Sequence, residues 1–211
     1  MVEDGKLLNL GVLVSGRGTN LQAVLDGCEN GTIPARVRVV VSNRPGVMAL
    51  KRAEAKGVPS YCVDFKEYGR WPDCRPRYEE DVVRILREHG VELVVLAGYD
   101  RLAGEVLLRA YPGAIINIHP ALLPSFPGLH AQRDALAYGV KVSGATVFFV
   151  DPSVDGGPII VQECVPVLED DTEETLSSRI LEVEHRILPR AISLIAQGRV
   201  RIEGRRVRIS P

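Results

Sequence analysis

Apolar runs of strand length alternate with segments of helical periodicity from residue 8 to residue 118, and this order limits the fold more than any other feature. The first run, Leu8–Val14, is mostly apolar and stops at a glycine-rich turn, as a strand buried on both faces does. Repeated strand–helix units favour an α/β fold with an open, mostly parallel twisted sheet and helices on both faces. The predicted strands are 8–14, 37–41, 61–63, 91–97 and 114–118, and the predicted helices are 20–28, 48–56, 77–88 and 104–109.

The alternation stops after residue 118, where prolines crowd the chain. Prolines and a glycine recur over residues 120–128, so this stretch is predicted to be a loop. A helix over 132–138 and strands over 145–150 and 159–165 are predicted to follow it.

The last part of the chain carries signals for one long helix and a hairpin. Asp171 is predicted to cap the helix, with Glu174 completing a capping box, and Gly198 is predicted to end it. Two short apolar–basic alternations, 200–202 and 207–209, flank a turn and predict a C-terminal hairpin. Because no repeat or linker interrupts the sequence, we expect residues 1–211 to form a single domain.

Composition narrows the possible classes of protein. The 211 residues include 26 basic and 27 acidic side chains, a net charge of −1 that gives no electrostatic case for a nucleic-acid partner. The first six residues do not resemble a signal peptide, and no apolar run is long enough to cross a membrane. The cysteines lack metal-site spacing and are predicted to be reduced and buried in a cytoplasmic protein. They are Cys28, Cys62, Cys74 and Cys164.

A glycine turn, Ser15-Gly-Arg-Gly-Thr-Asn20, separates the first strand from the first helix. Glycines let the backbone approach a ligand closely, and free amides at a helix start favour an anion such as a phosphate. A dinucleotide fingerprint would need a glycine in place of Leu21, and a Walker loop would need Gly-Lys-Ser/Thr. A tight turn without any ligand also fits these residues, and the two readings stay open on the turn alone.

Asn117 and His119 lie two residues apart at the end of the fifth predicted strand, so their side chains face the same side. A carboxamide can donate to an oxygen that gains negative charge, and an imidazole can exchange a proton near neutral pH. Together they suit attack on a carbonyl carbon through a tetrahedral intermediate. The alternative is that both side chains only satisfy backbone groups of the proline-rich loop.

Asp155 follows the sixth predicted strand and could return to the same place, where its charge would favour a charged imidazolium on His119. No serine or cysteine has an evident base beside it, so a covalent intermediate is not required. A metal site formed by His119, Asp155 and His130 would have few ligands and no tight spacing, so no metal is expected.

Residues 117–128 (NIHPALLPSFPG) followed by 155–158 (DGGP) resemble the folate-dependent formyltransferases. The resemblance extends from the first strand almost to the end of the last long helix. It is closest to the members that formylate the amine of 5-phosphoribosylglycinamide in purine biosynthesis. The resemblance implies a formyltransferase-type Rossmann-like sheet, 10-formyltetrahydrofolate as cosubstrate, small-molecule partners only, and a monomer or homodimer.

The resemblance also implies roles for individual residues. Asn117 would hold the formyl oxygen, His119 would act as general acid, and Asp155 would keep His119 protonated and relay the proton that leaves the amine. Gly18, Thr19 and Asn20 match the turn for the substrate phosphate, and Glu184 matches a carboxylate near the substrate; Arg75, Asp100, Arg101, Leu102 and Ala103 match folate-contacting positions.

Two positions depart from the pattern of the resembled family. Asp100 stands where an apolar residue such as methionine is usual, and it alters the folate pocket unless only the backbone contacts the pterin. Phe148 stands where many members have a histidine, so no catalytic part is assigned to it.

Other readings differ in what they require of the chain. The relatives that formylate methionyl-tRNA or hydrolyse formyltetrahydrofolate carry a further domain, for which we expect no room in this chain. A regulatory nucleotide-binding domain would use the glycine turn but would not require Asn117, His119 and Asp155.

Overall fold

The computed structural model describes residues 6–211 and contains a seven-stranded sheet with helices on both faces. The expectation that the first six residues are not a signal peptide falls almost wholly outside the described residues. The strands are β1 (Leu8–Val14), β2 (Ala35–Ser42), β3 (Ser60–Cys62), β4 (Leu93–Leu96), β5 (Ile115–His119), β6 (Val142–Phe149), β7 (Ile159–Pro166), β8 (Val200–Glu203) and β9 (Arg206–Ile209). The helices are α1 (Thr19–Glu29), α2 (Met48–Ala55), α3 (Arg75–Glu88), α4 (Glu105–Ala110), α5 (Ala131–Tyr138) and α6 (Glu173–Ala196), with a short 3₁₀ helix at Phe65–Tyr68.

The strand order is β3-β2-β1-β4-β5-β6-β7, so the order reverses between β1 and β4. Strands β1 to β5 are parallel, whereas β6 pairs antiparallel with β5 and β7 pairs antiparallel with β6. Strands β8 and β9 form the separate antiparallel hairpin. The predicted open, mostly parallel α/β sheet with a C-terminal hairpin is therefore confirmed.

Two apolar layers hold the helices against the sheet. One layer joins α1, α2 and α6 to one face, and the other joins α3 and α4 to the opposite face. Alternation along β1 illustrates the division, because Leu10 and Val12 belong to the first layer and Leu13 to the second. At Gly11 an added Cβ would meet Leu86 and Val91, so the absence of a side chain lets α3 pack closely. No helix among residues 6–211 has the length and apolar content needed to cross a membrane.

The predicted cap of α6 is wrong by one residue. The Thr172 hydroxyl accepts from the Thr175 backbone amide at 3.3 Å, and the Thr175 hydroxyl accepts from the Thr172 amide at 2.9 Å, which completes the box. Asp171 is instead engaged by Arg179, whose guanidinium donates to it at 2.8 Å and holds the pKa of that carboxyl below its ordinary value. Glu174 therefore has no part in the cap.

The prediction of buried cysteines is also wrong in part. All four cysteines are free thiols, but Cys62 and Cys164 are exposed because they lie on the outer strands β3 and β7. Only Cys74 is buried, and Cys28 is half-buried.

Strand β6 begins three residues earlier than predicted. The prediction missed these residues because a serine and a glycine interrupt the apolar pattern at the start of the strand. Gly144 crosses close to β7, and an added Cβ there would collide with the carbonyl oxygen of Glu163 and lie 2.9 Å from the Cα of Cys164. Backbone atoms of a paired strand cannot move aside without breaking the ladder.

We therefore expect Gly144→Ala to lower the free energy of unfolding by about 1–3 kcal/mol, the usual cost of overpacking. Urea unfolding measures the change. Gly16→Ala is the control, because a Cβ at Gly16 would meet nothing within 4 Å. Equal stability of Gly144→Ala and the unmodified protein would contradict the proposed steric conflict.

Candidate active site

A cavity of about 1030 Å³ opens over β5 on the face of the sheet that α3 and α4 cover. Its lining includes Pro112 before β5, Asn117 and His119 on the strand, and Gly128 after it. The cavity therefore extends along β5 from its beginning to its carboxyl end, which carries Asn117 and His119. The six-residue helix α4 contributes Glu105, Leu108 and Arg109 to the lining.

Asn117 and His119 share the cavity because they alternate with Ile116 and Ile118, which belong to the core on the other face. The side chain of His119 is almost fully buried, at 5% exposure. Its Nε2 lies 2.8 Å from the carbonyl oxygen of Phe126, and its Nδ1 lies 3.6 Å from Oδ2 of Asp155. Both ring nitrogens thus face oxygen atoms of the loops around the cavity, and only Nε2 is within hydrogen-bond distance of one.

Asp155 lies in the loop between β6 and β7 and lines the same cavity. Its Oδ2 also accepts a hydrogen bond from the backbone amide of Gly128 at 2.8 Å. One carboxylate therefore faces the imidazole and holds the end of the proline-rich loop. The structure brings Asn117, His119 and Asp155 together, although the sequence analysis could link Asp155 to the other two only through the family resemblance.

The residues matched to the substrate phosphate form a second group outside the cavity lining. Gly18 has a φ of 70°, and an added Cβ would lie 2.6 Å from the Cβ of Ala49, so glycine is required there. No side chain caps α1, which leaves the first amides of the helix, at Thr19 and Asn20, available to an anion.

A hydrogen bond joins this turn to α6. The Asn20 amide donates to Oε2 of Glu184 at 2.8 Å, and both side chains are buried. Within residues 6–211, Oδ1 of Asn20 has no hydrogen-bond partner. A buried, unpaired acceptor beside free helix amides is a site that a polar ligand could complete.

The residues matched to the folate site line the cavity, in the segment between β4 and α4. Arg75, Asp100, Arg101, Leu102 and Ala103 are all among the lining residues. The Arg101 guanidinium lies 3.7 Å from the centre of the Phe65 ring, which fixes its plane through a cation–π contact.

Glu79 on α3, which was not predicted from the sequence, fixes the segment between β4 and α4 through hydrogen bonds to its backbone. Its carboxylate accepts from the backbone amides of Gly104 and Leu107, the latter at 3.2 Å, and it is almost fully buried. Burial raises the pKa of Glu79, while these backbone donors oppose the rise. An acidic residue on the apolar face of α3 was the signal that sequence reasoning could have used.

The departure at Asp100 has a structural explanation. Its Oδ1 accepts from Ser15 at 3.0 Å and from Asn43 at 2.7 Å, and its other oxygen pairs with Arg44. Burial alone would raise the pKa of Asp100, but the hydrogen bonds from Asn43 and Ser15 outweigh it, and the pKa lies below its ordinary value. Asp100 therefore links the cavity segment to the turn that precedes α1.

Phe148 puts an apolar side chain in the cavity lining at the position where a histidine is common in the resembled family. Phe148 lies opposite Asn117 in the β5–β6 ladder, is 2% exposed and lines the cavity.

Among residues 6–211, no group of three or more histidine, cysteine, aspartate or glutamate side chains has the arrangement of a metal site. His130 lies at the start of α5 and is exposed.

The fold and the arrangement of these side chains define a class of transferase. Residues 8–192 match the formyl transferase family, and the chain belongs to that family. Phosphoribosylglycinamide formyltransferase of Escherichia coli is 37% identical over 195 residues, which cover 92% of this chain and 90% of that protein. The Bacillus subtilis protein of the same name is 42% identical over 181 residues, covering 86% of this chain and 91% of its own length.

Other relatives are longer or have known structures. The trifunctional purine biosynthetic protein adenosine-3 of Gallus gallus is 45% identical over 92% of this chain, and the chain spans only 19% of its length. The crystal structure of glycinamide ribonucleotide transformylase 1 from Symbiobacterium toebii is 53% identical with a TM-score of 0.95. That match covers 99% of this chain and 96% of that one.

The buried Glu184 gives the protein a pH-dependent stability that can be measured. Burial raises the pKa of Glu184, and the hydrogen bond from Asn20 only partly opposes the rise. Ionisation therefore works against the folded state, so the contribution of Glu184 to stability is fully present below about pH 4 and is lost as the pH rises. We expect the free energy of unfolding of the unmodified protein to fall relative to Glu184→Gln as the pH rises above about pH 4.

Denaturant unfolding of both proteins at several pH values checks this expectation. Glutamine keeps an acceptor for Asn20 but cannot ionise, so the difference isolates the charge. Glu182→Gln, at an exposed position on the same helix, should give a curve parallel to that of the unmodified protein. A difference between Glu184→Gln and the unmodified protein that does not change with pH would contradict the assignment.

Proposed function

We propose that this protein transfers a formyl group from 10-formyltetrahydrofolate to the amine of 5-phosphoribosylglycinamide in de novo purine biosynthesis. The observation that carries the proposal is the meeting of Asn117, His119 and Asp155 in one cavity. Its volume of about 1030 Å³ suits a ligand as large as a folate. The names of the Escherichia coli and Bacillus subtilis relatives support the choice of substrate.

The proposed reaction needs no covalent enzyme intermediate. The substrate amine attacks the formyl carbon, a C–N bond forms, and the carbonyl electron pair moves to oxygen. The Asn117 amide donates a hydrogen bond to this oxygen. His119 supplies a second donor from Nδ1, which lies 3.6 Å from Asp155, because Nε2 is already engaged by the Phe126 carbonyl. Donors aimed at the developing charge lower the barrier because they are already oriented.

Proton transfer completes the exchange. The negative charge of Asp155 stabilises a protonated His119 before the attack. Asp155 then takes up the proton that the attacking amine loses, directly or through water, becomes neutral, and later gives that proton to the folate nitrogen. The bond from the formyl carbon to the folate nitrogen then breaks, and that nitrogen takes a proton. The products are the formylated amine and tetrahydrofolate, so atoms and charges balance without an oxidant or a metal.

The two groups of residues divide the substrates between them. The phosphate of the ribonucleotide would meet the free amides at Thr19 and Asn20, next to Gly18. Glu184 would lie near another part of the same substrate, such as its hydroxyl groups. The folate would occupy the cavity against residues 100–103, with the Arg75 guanidinium available to a carboxylate of its glutamate tail. The amine and the formyl carbon would then meet above Asn117.

We also propose that residues 1–211 act as one domain, as a monomer or homodimer in the cytoplasm. The seven-stranded sheet passes from β1 to β7 without a linker, which supports a single domain. Four free cysteines are in keeping with a reducing compartment.

The assay combines purified protein, 5-phosphoribosylglycinamide and 10-formyltetrahydrofolate, and it follows the appearance of tetrahydrofolate. We expect Asn117→Ala and His119→Ala each to lower kcat by roughly 10²–10³-fold, because each removes a donor to the oxyanion. Asp155→Asn should lower kcat by at least about 10²-fold, because it removes the proton acceptor.

Matched controls are His89→Ala and Asn30→Ala, which change the same residue types at the ends of α3 and α1, outside the cavity lining. Both should keep close to full activity. Undiminished transfer by Asn117→Ala or His119→Ala would overturn the mechanism. Absence of tetrahydrofolate with the unmodified protein would overturn the proposed substrates, and methionyl-tRNA would then be tested as the acceptor.

A further inference from the structure

Asp155 has a backbone conformation that aspartate adopts only at a cost. Its φ is 48°, in the left-handed region that most residues other than glycine avoid. Strained conformations of this kind persist only where the surrounding structure fixes them. The two residues after it are glycines, which restrain the backbone least of all. Something outside residues 155–157 must therefore hold the carboxylate towards His119.

Two anchors lie within the connection between β6 and β7, which we call the Asp155 loop (residues 150–158). At its beginning, Asp151 Oδ1 accepts from the backbone amide of Ser153 at 2.9 Å. At its end, Phe149 donates its amide to the carbonyl of Pro158 at 2.9 Å, and Gly157 packs directly on the Phe149 carbonyl. These contacts fix both ends of the loop, and neither of them engages the carbonyl of Gly156.

The third anchor comes from the C-terminal hairpin. The guanidinium of Arg205, in the turn between β8 and β9, donates to the carbonyl oxygen of Gly156, the residue that follows Asp155. The hairpin is itself fixed, since Val200 and Val207 pack against the main core. Its ends are joined where Ser210 donates to the Arg199 carbonyl at 2.9 Å. This segment lies beyond residue 192, where the match to the formyl transferase family ends.

We propose that Arg205 is a positioning residue, through which the C-terminal hairpin holds the Asp155 loop and keeps the Asp155 carboxylate directed at His119. The proposal rests on the proposed function for its kinetic consequence, but not for its structural one. Arg205 is exposed, and a single exposed contact adds little to overall stability. Its effect is on geometry, and misplacing a catalytic group by about 1 Å can cost as much as 10²-fold in rate.

The kinetic test compares Arg205→Ala, Arg205→Lys and Arg208→Ala. We expect Arg205→Ala to lower kcat about tenfold while the KM values for both substrates change less than about twofold, because only a group used in the reaction is displaced. Arg205→Lys should recover most of the loss, since an ammonium group can still donate to the Gly156 carbonyl. Arg208→Ala is the matched control, because the partner of Arg208 is Glu203 within the hairpin itself.

A second measurement does not depend on activity. The Gly128 amide donates to Asp155 at 2.8 Å, so its hydrogen exchange reports whether that carboxylate stays in place. We expect faster exchange at Gly128 in Arg205→Ala, and exchange like that of the unmodified protein in Arg205→Lys and Arg208→Ala. If the unmodified protein transfers no formyl group, the proposed function fails while this measurement still decides the role of Arg205.

Two results would overturn the proposal. One is an Arg205→Ala protein whose kcat and Gly128 exchange match those of the unmodified protein. The other is an equal loss in Arg205→Ala and Arg208→Ala, which would mean that any disturbance of the hairpin has the same effect.

Discussion

Strand β5 is hydrogen-bonded along both edges, to β4 in parallel and to β6 in antiparallel register. A strand paired on both sides cannot slip or rotate, because a shift of one residue would exchange its two faces. Ile116 and Ile118 are buried in the core on one face, so Asn117 and His119 must point to the other. The direction of the two side chains is therefore a consequence of core packing on the opposite side of the sheet.

The loops around the cavity do not share in this pairing, and carboxylates hold them instead. Glu79 accepts from the backbone of the segment that precedes α4, Asp155 accepts from Gly128 in the proline-rich loop, and Asp100 engages Ser15 beside the glycine turn. Each carboxylate belongs to one element and binds donors from another, distant in sequence. Charged acceptors form stronger hydrogen bonds than neutral ones, which suits contacts made without the support of a ladder.

The sequence predicts most of what depends on local periodicity. Strand β1 was predicted with its observed bounds, and the shared direction of Asn117 and His119 follows from the two-residue period of a strand. The cap of α6 was misplaced because Asp171 and Thr172 are both good capping residues, and only the distant Arg179 decides between them.

The unpredicted parts of the site all depend on contacts between residues far apart in the chain. Gly128 and Asp155 are 27 residues apart, and Arg205 and Gly156 are 49 apart. No periodicity relates residues over such separations, so the family resemblance alone linked Asp155 to His119. For the same reason, neither the backbone partners of Glu79 nor a role for Arg205 could be predicted.

Asn20 and Glu184, in the group of residues near the start of α1, also depend on a hydrogen bond between distant elements. A buried carboxylate with one hydrogen bond, from Asn20, works against folding once it ionises, and an apolar residue of similar size would not. Groups that lower stability in this way are typical of sites where binding depends on them. The buried Oδ1 of Asn20, which has no hydrogen-bond partner among residues 6–211, is a second polar atom in this region that a ligand could pair. A ligand with hydroxyl groups at the start of α1 would donate to that acceptor and to Glu184. The features that lower the stability of the fold are therefore those that the hydroxyl groups of the proposed ribonucleotide substrate would use.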